Sequence, residues 1–105
     1  MSCFEALYNS LQCLPEGWYN KFSKDLVNDL LQACNSNDEA KSLRILEAKE
    51  KYGEMRIYIN LCDDKFDTII NKYTKLSRHT CIRCGNDVTS CELGMPICEN
   101  CLNFI

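Results

Sequence analysis

What this chain of 105 residues lacks narrows its function before any motif is read. It carries one histidine, His79, and no glycine-rich phosphate loop, so the usual raw materials for acid–base or phosphoryl-transfer chemistry are thin. No run approaches the roughly 18 consecutive apolar residues that a membrane span needs. The opening Met1-Ser2-Cys3-Phe4-Glu5-Ala6-Leu7 has neither the basic start nor the unbroken apolar stretch of a secretory signal, and Glu5 interrupts what apolar character there is. A cytoplasmic protein is expected. There is no internal repeat and no low-complexity stretch.

What is present in excess is cysteine. Nine cysteines would suggest a disulfide framework in a secreted miniprotein, but nine is an odd number and an export signal is missing, so reduced thiols are expected. Cys81, Cys84, Cys91, Cys98 and Cys101 crowd the C-terminal end, whereas Cys3, Cys13, Cys34 and Cys62 stand singly and are read as core or half-buried filler. The hydrophobic fraction of 46% and charged fraction of 26% are those of an ordinary globular protein. At this length one compact domain is expected, and a small core gains from a metal or covalent cross-link.

Periodicity predicts an α+β fold of about three helices and a β-hairpin, with a C-terminal four-cysteine zinc ribbon. Ser2 and Glu5 form a capping-box pattern before Phe4, Leu7, Tyr8 and Leu11, a first helix that ends at Pro15-Glu16-Gly17. Trp18, Phe22, Leu26, Leu30 and Leu31 then make the apolar stripe of a second helix running to about Cys34, with Lys21, Lys24, Asp25, Asn28 and Asp29 on its other face. Asn35-Ser36-Asn37-Asp38 reads as a loop. Residues 43–51 are ambiguous between helix and strand and lean to strand. Met55, Ile57 and Ile59 alternate with Arg56, Tyr58 and Asn60 after a Gly53-Glu54 turn, which predicts a hairpin of about 43–51 with 55–61. Asp63 and Asp64 cap a third helix whose apolar face is Phe66, Ile69, Ile70, Tyr73 and Leu76. Residues 1–77 form this body and 78–105 the ribbon, packed as one unit.

The ribbon carries the chemistry. Cys81-Ile82-Arg83-Cys84 and Cys98-Glu99-Asn100-Cys101 are two C-x-x-C pairs separated by thirteen residues. Tetrahedral zinc needs two tight turns, each offering two thiolates at about 2.3 Å, brought together by a returning loop. Gly85 can adopt positive φ and curl the backbone over the metal, and Gly94 and Pro96 turn the chain back. Disulfides, a redox dithiol and an iron–sulfur centre are the rival readings. Four cysteine ligands close the coordination sphere, so Zn2+ is expected to be structural. With only four residues after Cys101, a ribbon is favoured over a helix-ended module. Cys91 is the spare thiol. His79 is either an outer hydrogen-bond donor to the site, an alternative ligand, or a surface residue at a helix end.

Other constellations have plainer readings. Asp63, Asp64 and Asp67 resemble a hard-metal site but fit helix capping. Trp18 and Tyr19 are core anchors, with a partner-facing aromatic as the alternative. Lys65, Lys72, Lys75 and Arg78 lie along one side of the third helix as a solvated face or a contact for an acidic partner. Between residues 77 and 105, Arg78 and Arg83 face three carboxylates, Asp87, Glu92 and Glu99, so the ribbon is formally −1 before metal binding. Direct nucleic-acid binding through it is therefore disfavoured.

Lys49-Glu50-Lys51-Tyr52-Gly53-Glu54-Met55-Arg56-Ile57-Tyr58 resembles the signature Lys-Glu-Lys-Phe-Gly-Gly-Leu-Arg-Phe-Tyr of a family of short proteins common in phages, prophages and bacteria. That family has a Gly-Trp upstream, matched by Gly17-Trp18, a cysteine knuckle matched by Cys81 to Gly85, and a last pair matched by Cys98 and Cys101. Glu54 and Gly94-Met95 depart from its Gly and Gly-Trp. The resemblance spans about residues 16–102. It implies a mobile-element origin and a zinc-stapled small fold, without an activity to carry over.

These features together predict a non-enzymatic binding protein with Trp18, Arg56, Tyr58, Lys65, Lys72, Lys75 and Arg78 as candidate partner contacts. A host or defence-system complex is the expected partner, with an anti-CRISPR-like inhibitor as the specific analogy. The alternatives are a nucleic-acid or transcription-associated zinc ribbon using the Lys65–Arg78 face, and an enzyme with carboxylates drawn from separate elements.

Overall fold

The computed structural model describes residues 2–88 and 94–102. Cys91 and Glu92, to which the sequence reading assigned a spare thiol and a charge, lie outside the described residues. Among these described residues, five helices and one two-stranded antiparallel hairpin form a mixed α+β fold with a cluster of four cysteines at its C-terminal end.

Helix α1 spans Cys3–Asn9, with Ser2 as its N-cap accepting a hydrogen bond from Glu5 N. Further turns carry Leu11 and Leu14 into the core. Helix α2 spans Glu16–Ala33 and buries Trp18, Phe22, Leu26, Val27 and Leu30. Gly17 was expected to break the chain and instead occupies the first turn of α2. A glycine early in a helix is tolerated where the space beside it is already filled, as it is here by backbone from the C-terminal segment.

The segment read as a loop is in part helical: α3 spans Asn37–Ser42. Ser36 Oγ caps Glu39 N at 3.1 Å while Glu39 Oε1 accepts from Asn35 N at 3.3 Å, a box that closes both orphan amides locally. Strand β1, Ile45–Lys51, pairs with β2, Glu54–Ile59, in the register Glu50↔Met55 and Ala48↔Ile57, with an irregularity between Ile45 and Glu47. The turn is Tyr52-Gly53 rather than Gly53-Glu54. Both residues have positive φ (56° and 81°), the requirement of a type I′ hairpin turn, whose twist suits the flanking strands.

Helix α4, Asp64–Ser77, is capped by Asp63, whose carboxylate accepts from Lys65 N. Its inward face is Phe66, Ile69, Ile70, Tyr73 and Ser77. Leu76, expected in that face, is 47% exposed, because the stripe continues from Tyr73 to Ser77 four residues on. A final turn of helix, α5, spans Glu99–Leu102, so the second cysteine pair ends in helix where a ribbon without one was expected. Cys98 sits just before α5, and the backbone bond from Leu102 N to Cys98 O (2.9 Å) shows that one helical turn fits in the space available.

One core runs through α1, α2, the hairpin and α4, with Trp18 and Phe66 its largest fully buried side chains. A smaller cluster of Cys81, Val88 and Ile97 lies under the C-terminal segment.

Candidate metal centre

The C-terminal segment has little apolar mass, so backbone hydrogen bonds and sulfur must define it. Val88 N donates to His79 O at 2.7 Å and Cys81 N to Asn86 O at 2.7 Å, which folds 79–88 into a tight loop with a Thr80↔Asp87 bridge at its base. Gly85 N closes the knuckle on Cys81 O at 3.0 Å, and Gly85 takes φ 82°, the conformation its lack of a Cβ allows. Ile82 N donates to the carbonyl of buried Pro96 at 2.9 Å, which draws the second cysteine pair against the first.

That folding brings the Sγ atoms of Cys81, Cys84, Cys98 and Cys101 within 4.8 Å of one another. Sulfurs bonded at 2.3 Å to a tetrahedral ion stand about 3.8 Å apart, so the cluster has the size of a four-thiolate metal site. Cys84 Sγ and Cys98 Sγ are 3.4 Å apart, well beyond a disulfide bond, and all eight described cysteines are free thiols. Cys81 is fully buried, Cys98 and Cys101 are half-buried and Cys84 is exposed. Burial pushes the Cys81 thiol up, yet the backbone amides of Cys98, Cys84 and Arg83 outweigh it and hold Cys81 at about 6. Cys101, hydrogen-bonded to Cys98 and partly desolvated, is pushed up to about 12. Four sulfurs this close cannot all be thiolates unless a cation sits among them.

No other group of metal-ligating side chains is brought together among the described residues. Asp63, Asp64 and Asp67 stay at the start of α4, and exposed His79 is not part of the sulfur cluster.

The cluster is fastened to the body by backbone. Gly17 N, an amide in the first turn of α2 with no partner inside its own helix, donates to Ile82 O at 2.8 Å. A Cβ on Gly17 would lie 2.2 Å from Cys81 O and 2.7 Å from Gly85 N. Trp18 Nε1 donates to Thr80 O at 2.8 Å, and Lys21 Nζ reaches Gly85 O at 3.1 Å and Asp87 Oδ1 at 3.4 Å. The hairpin tip meets the other side, where a Cβ on Gly53 would stand 2.8 Å from Gly94 O. The Gly17-Trp18 pair and the Tyr52-Gly53 turn thus both serve to seat the cysteine segment.

This placement corrects one candidate contact: Trp18 is 0% exposed and its ring and N–H are spent inside the protein, so it presents nothing to a partner. Tyr58 is 44% exposed on the outer face of the hairpin. Arg56 and Arg78 both donate to Glu54, at 3.1 and 3.0 Å, the residue that stands where the resembling signature has glycine. Lys72 pairs with Asp29 at 3.0 Å, and Lys65 with Glu39, whose carboxyl is held below its usual range chiefly by that bond. Lys75 is exposed. Of the single cysteines expected as core or half-buried filler, Cys3 and Cys34 are half-buried, whereas Cys13 and Cys62 are exposed. Cys13 stays anchored through a thiol bond to Ala48 O.

No helix among the described residues is long and apolar enough to cross a membrane. No protein-family model, no curated protein and no solved structure matches the chain.

Proposed function

We propose that this protein is a non-enzymatic, zinc-stabilised binding module of the cytoplasm, in which Cys81, Cys84, Cys98 and Cys101 hold one structural Zn2+ and the helix–hairpin body meets a macromolecular partner. The convergence of four sulfurs in a space of tetrahedral size carries this reading. Zinc is favoured over softer or redox-active alternatives because it suits four thiolates without geometric preference. The four cysteines would complete the ion's coordination and leave no position for water, so the metal supports shape rather than reaction. By analogy with small phage accessory proteins in general, its specific form is an accessory protein that binds and modulates a host or defence-system complex, as anti-CRISPR inhibitors do.

The test has two parts. Elemental analysis of protein purified under reducing conditions is expected to return one zinc per chain, and a pull-down from bacterial lysate a stoichiometric protein partner. Absence of zinc removes the metal reading, and absence of any partner removes the binding reading.

The second reading, nucleic-acid recognition by Lys65, Lys72, Lys75 and Arg78, is weakened by charge pairing. Three of those four cations have carboxylate partners within the protein, so phosphate would have to compete with Glu39, Asp29 and Glu54.

A further inference from the structure

The edge of β2 that faces away from β1 is closed at one end only. At that end Met55 N donates to Ser77 Oγ at 2.8 Å, and Met55 O accepts from Thr74 Oγ1 at 3.0 Å, so two side chains of α4 substitute for a neighbouring strand. Strand backbone alternates with period two, and Ile57 and Ile59 therefore turn their amides and carbonyls to the same side as Met55. Among the described residues no hydrogen bond closes them from that side, although Ile57 is itself buried and Ile59 half-buried.

Beside this edge, between β2 and α4, lies a groove of about 700 Å3, walled by Ile57, Leu61, Ile70 and Asn71. That is within the roughly 300–1,000 Å3 of ordinary ligand sites. Its two ends differ in charge. Arg56 and Arg78 flank Glu54 where the edge is closed, whereas Asp63, Asp64 and Asp67 stand at the other end, where no ion pair neutralises them among the described residues. With four carboxylates against two guanidinium groups the groove is net acidic, which repels phosphate and excludes a nucleic-acid strand as its occupant.

We propose that this groove takes up a short extended peptide segment of a partner protein, which adds to Ile57–Ile59 as a third strand. Exposed strand edges are templates for such addition, in which main-chain hydrogen bonds supply affinity and alternate side chains supply selectivity. The charge gradient sets direction. β2 runs from the arginine end to the aspartate end, so a segment with a basic residue over Asp63–Asp67 and a later carboxylate near Arg56 and Arg78 lies antiparallel to β2. The inference rests on the reading of the chain as a binding module, but its outcome is separable, since zinc content does not depend on it.

The probe is the capped peptide Lys-Val-Thr-Val-Glu, titrated into zinc-loaded, 15N-labelled full-length protein. Saturable shifts centred on the Ile57 and Ile59 amides are expected, growing weaker with added salt. N-methylating one alternate set of peptide amides should weaken binding about tenfold, and methylating the other set should leave it unchanged. Asn71→Trp, which fills the groove from the exposed side of α4, should abolish the shifts while the rest of the amide spectrum stays in place. Shifts that never saturate, that centre elsewhere, or that ignore both methylation patterns would overturn the proposal. Equal binding of the reversed peptide Glu-Val-Thr-Val-Lys would overturn the assigned direction.

Discussion

Gly17 and Gly85 meet backbone to backbone: a Cβ on Gly85 would lie 3.1 Å from the carbonyl oxygen of Gly17, while a Cβ on Gly17 would run into Cys81 O at 2.2 Å. The start of α2 and the first cysteine knuckle are therefore in contact where neither can carry a side chain. Gly17→Ala is expected to cost at least about 2 kcal/mol, because backbone rather than a flexible side chain must move. Gly94→Ala is the control: nothing lies within 4 Å of its Cβ position, so only its φ of 80° resists, at about 1–2 kcal/mol. Urea melts of the two variants against the parent check the order, and an equal loss would show that the close approach is not the constraint.

Trp18 is the chain's one tryptophan and its indole N–H is bonded to the carbonyl of Thr80, directly before the first cysteine of the cluster. Stripping the metal with a strong chelator should therefore shift tryptophan emission to longer wavelength as water reaches the indole, and restoring zinc should reverse it. Cys98→Ser should show the shifted emission without chelator. Emission blind to both treatments would mean that the cysteine segment holds its seat without a metal.

Ser77 accepts from the buried Met55 amide and donates to Thr74 O. Ser77→Ala leaves that amide without a partner and should destabilise the fold by about 1–3 kcal/mol. Faster exchange of the Met55 amide than of its neighbours in β2 is the local signature.

Asp29 joins α2 to α4 by accepting from Tyr73 Oη and Lys72 Nζ, and the Tyr73 bond, followed by that of Lys72, holds its carboxyl below the usual range. Burial, followed by the Asp29 bond, pushes the Tyr73 hydroxyl up. A carboxyl depressed on folding contributes stability that is present above its unfolded pKa and lost as pH falls through its folded value. Asp29→Asn should therefore cost about 1 kcal/mol at neutral pH, discounted for the partial exposure of the pair, with the difference shrinking below about pH 4. Denaturation midpoints from pH 7 down to pH 2.5 test this, and a gap independent of pH would assign the effect to packing.

The elements that could be read from sequence were those with a long period or a rigid spacing. The stripe from Trp18 to Leu30, the alternation from Met55 to Ile59 and the helix beginning after Asp63 all have such signals, as do the two C-x-x-C pairs. What failed was local punctuation overruled by tertiary contact. Gly17 looks like a breaker, but its helical conformation is set by Ile82 and Cys81, sixty-odd residues away, which no window of sequence contains. The Asn35–Asp38 cluster did carry a usable signal, since Ser36 and Glu39 stand in capping-box register and only the polar composition argued for a loop. Leu76 was assigned to the core by type, whereas Ser77 takes that place because it has a backbone amide to satisfy. Tyr52 at positive φ left no mark, as tyrosine rarely occupies that region.

The amide of Gly17 depends for its partner on a carbonyl inside the cysteine knuckle. The longest helix among the described residues is thus anchored at its first turn by the loop that carries the first cysteine pair. Under the proposed metal-bound reading, loss of the ion would loosen that loop, leave the Gly17 amide without its acceptor and so fray the first turn of α2.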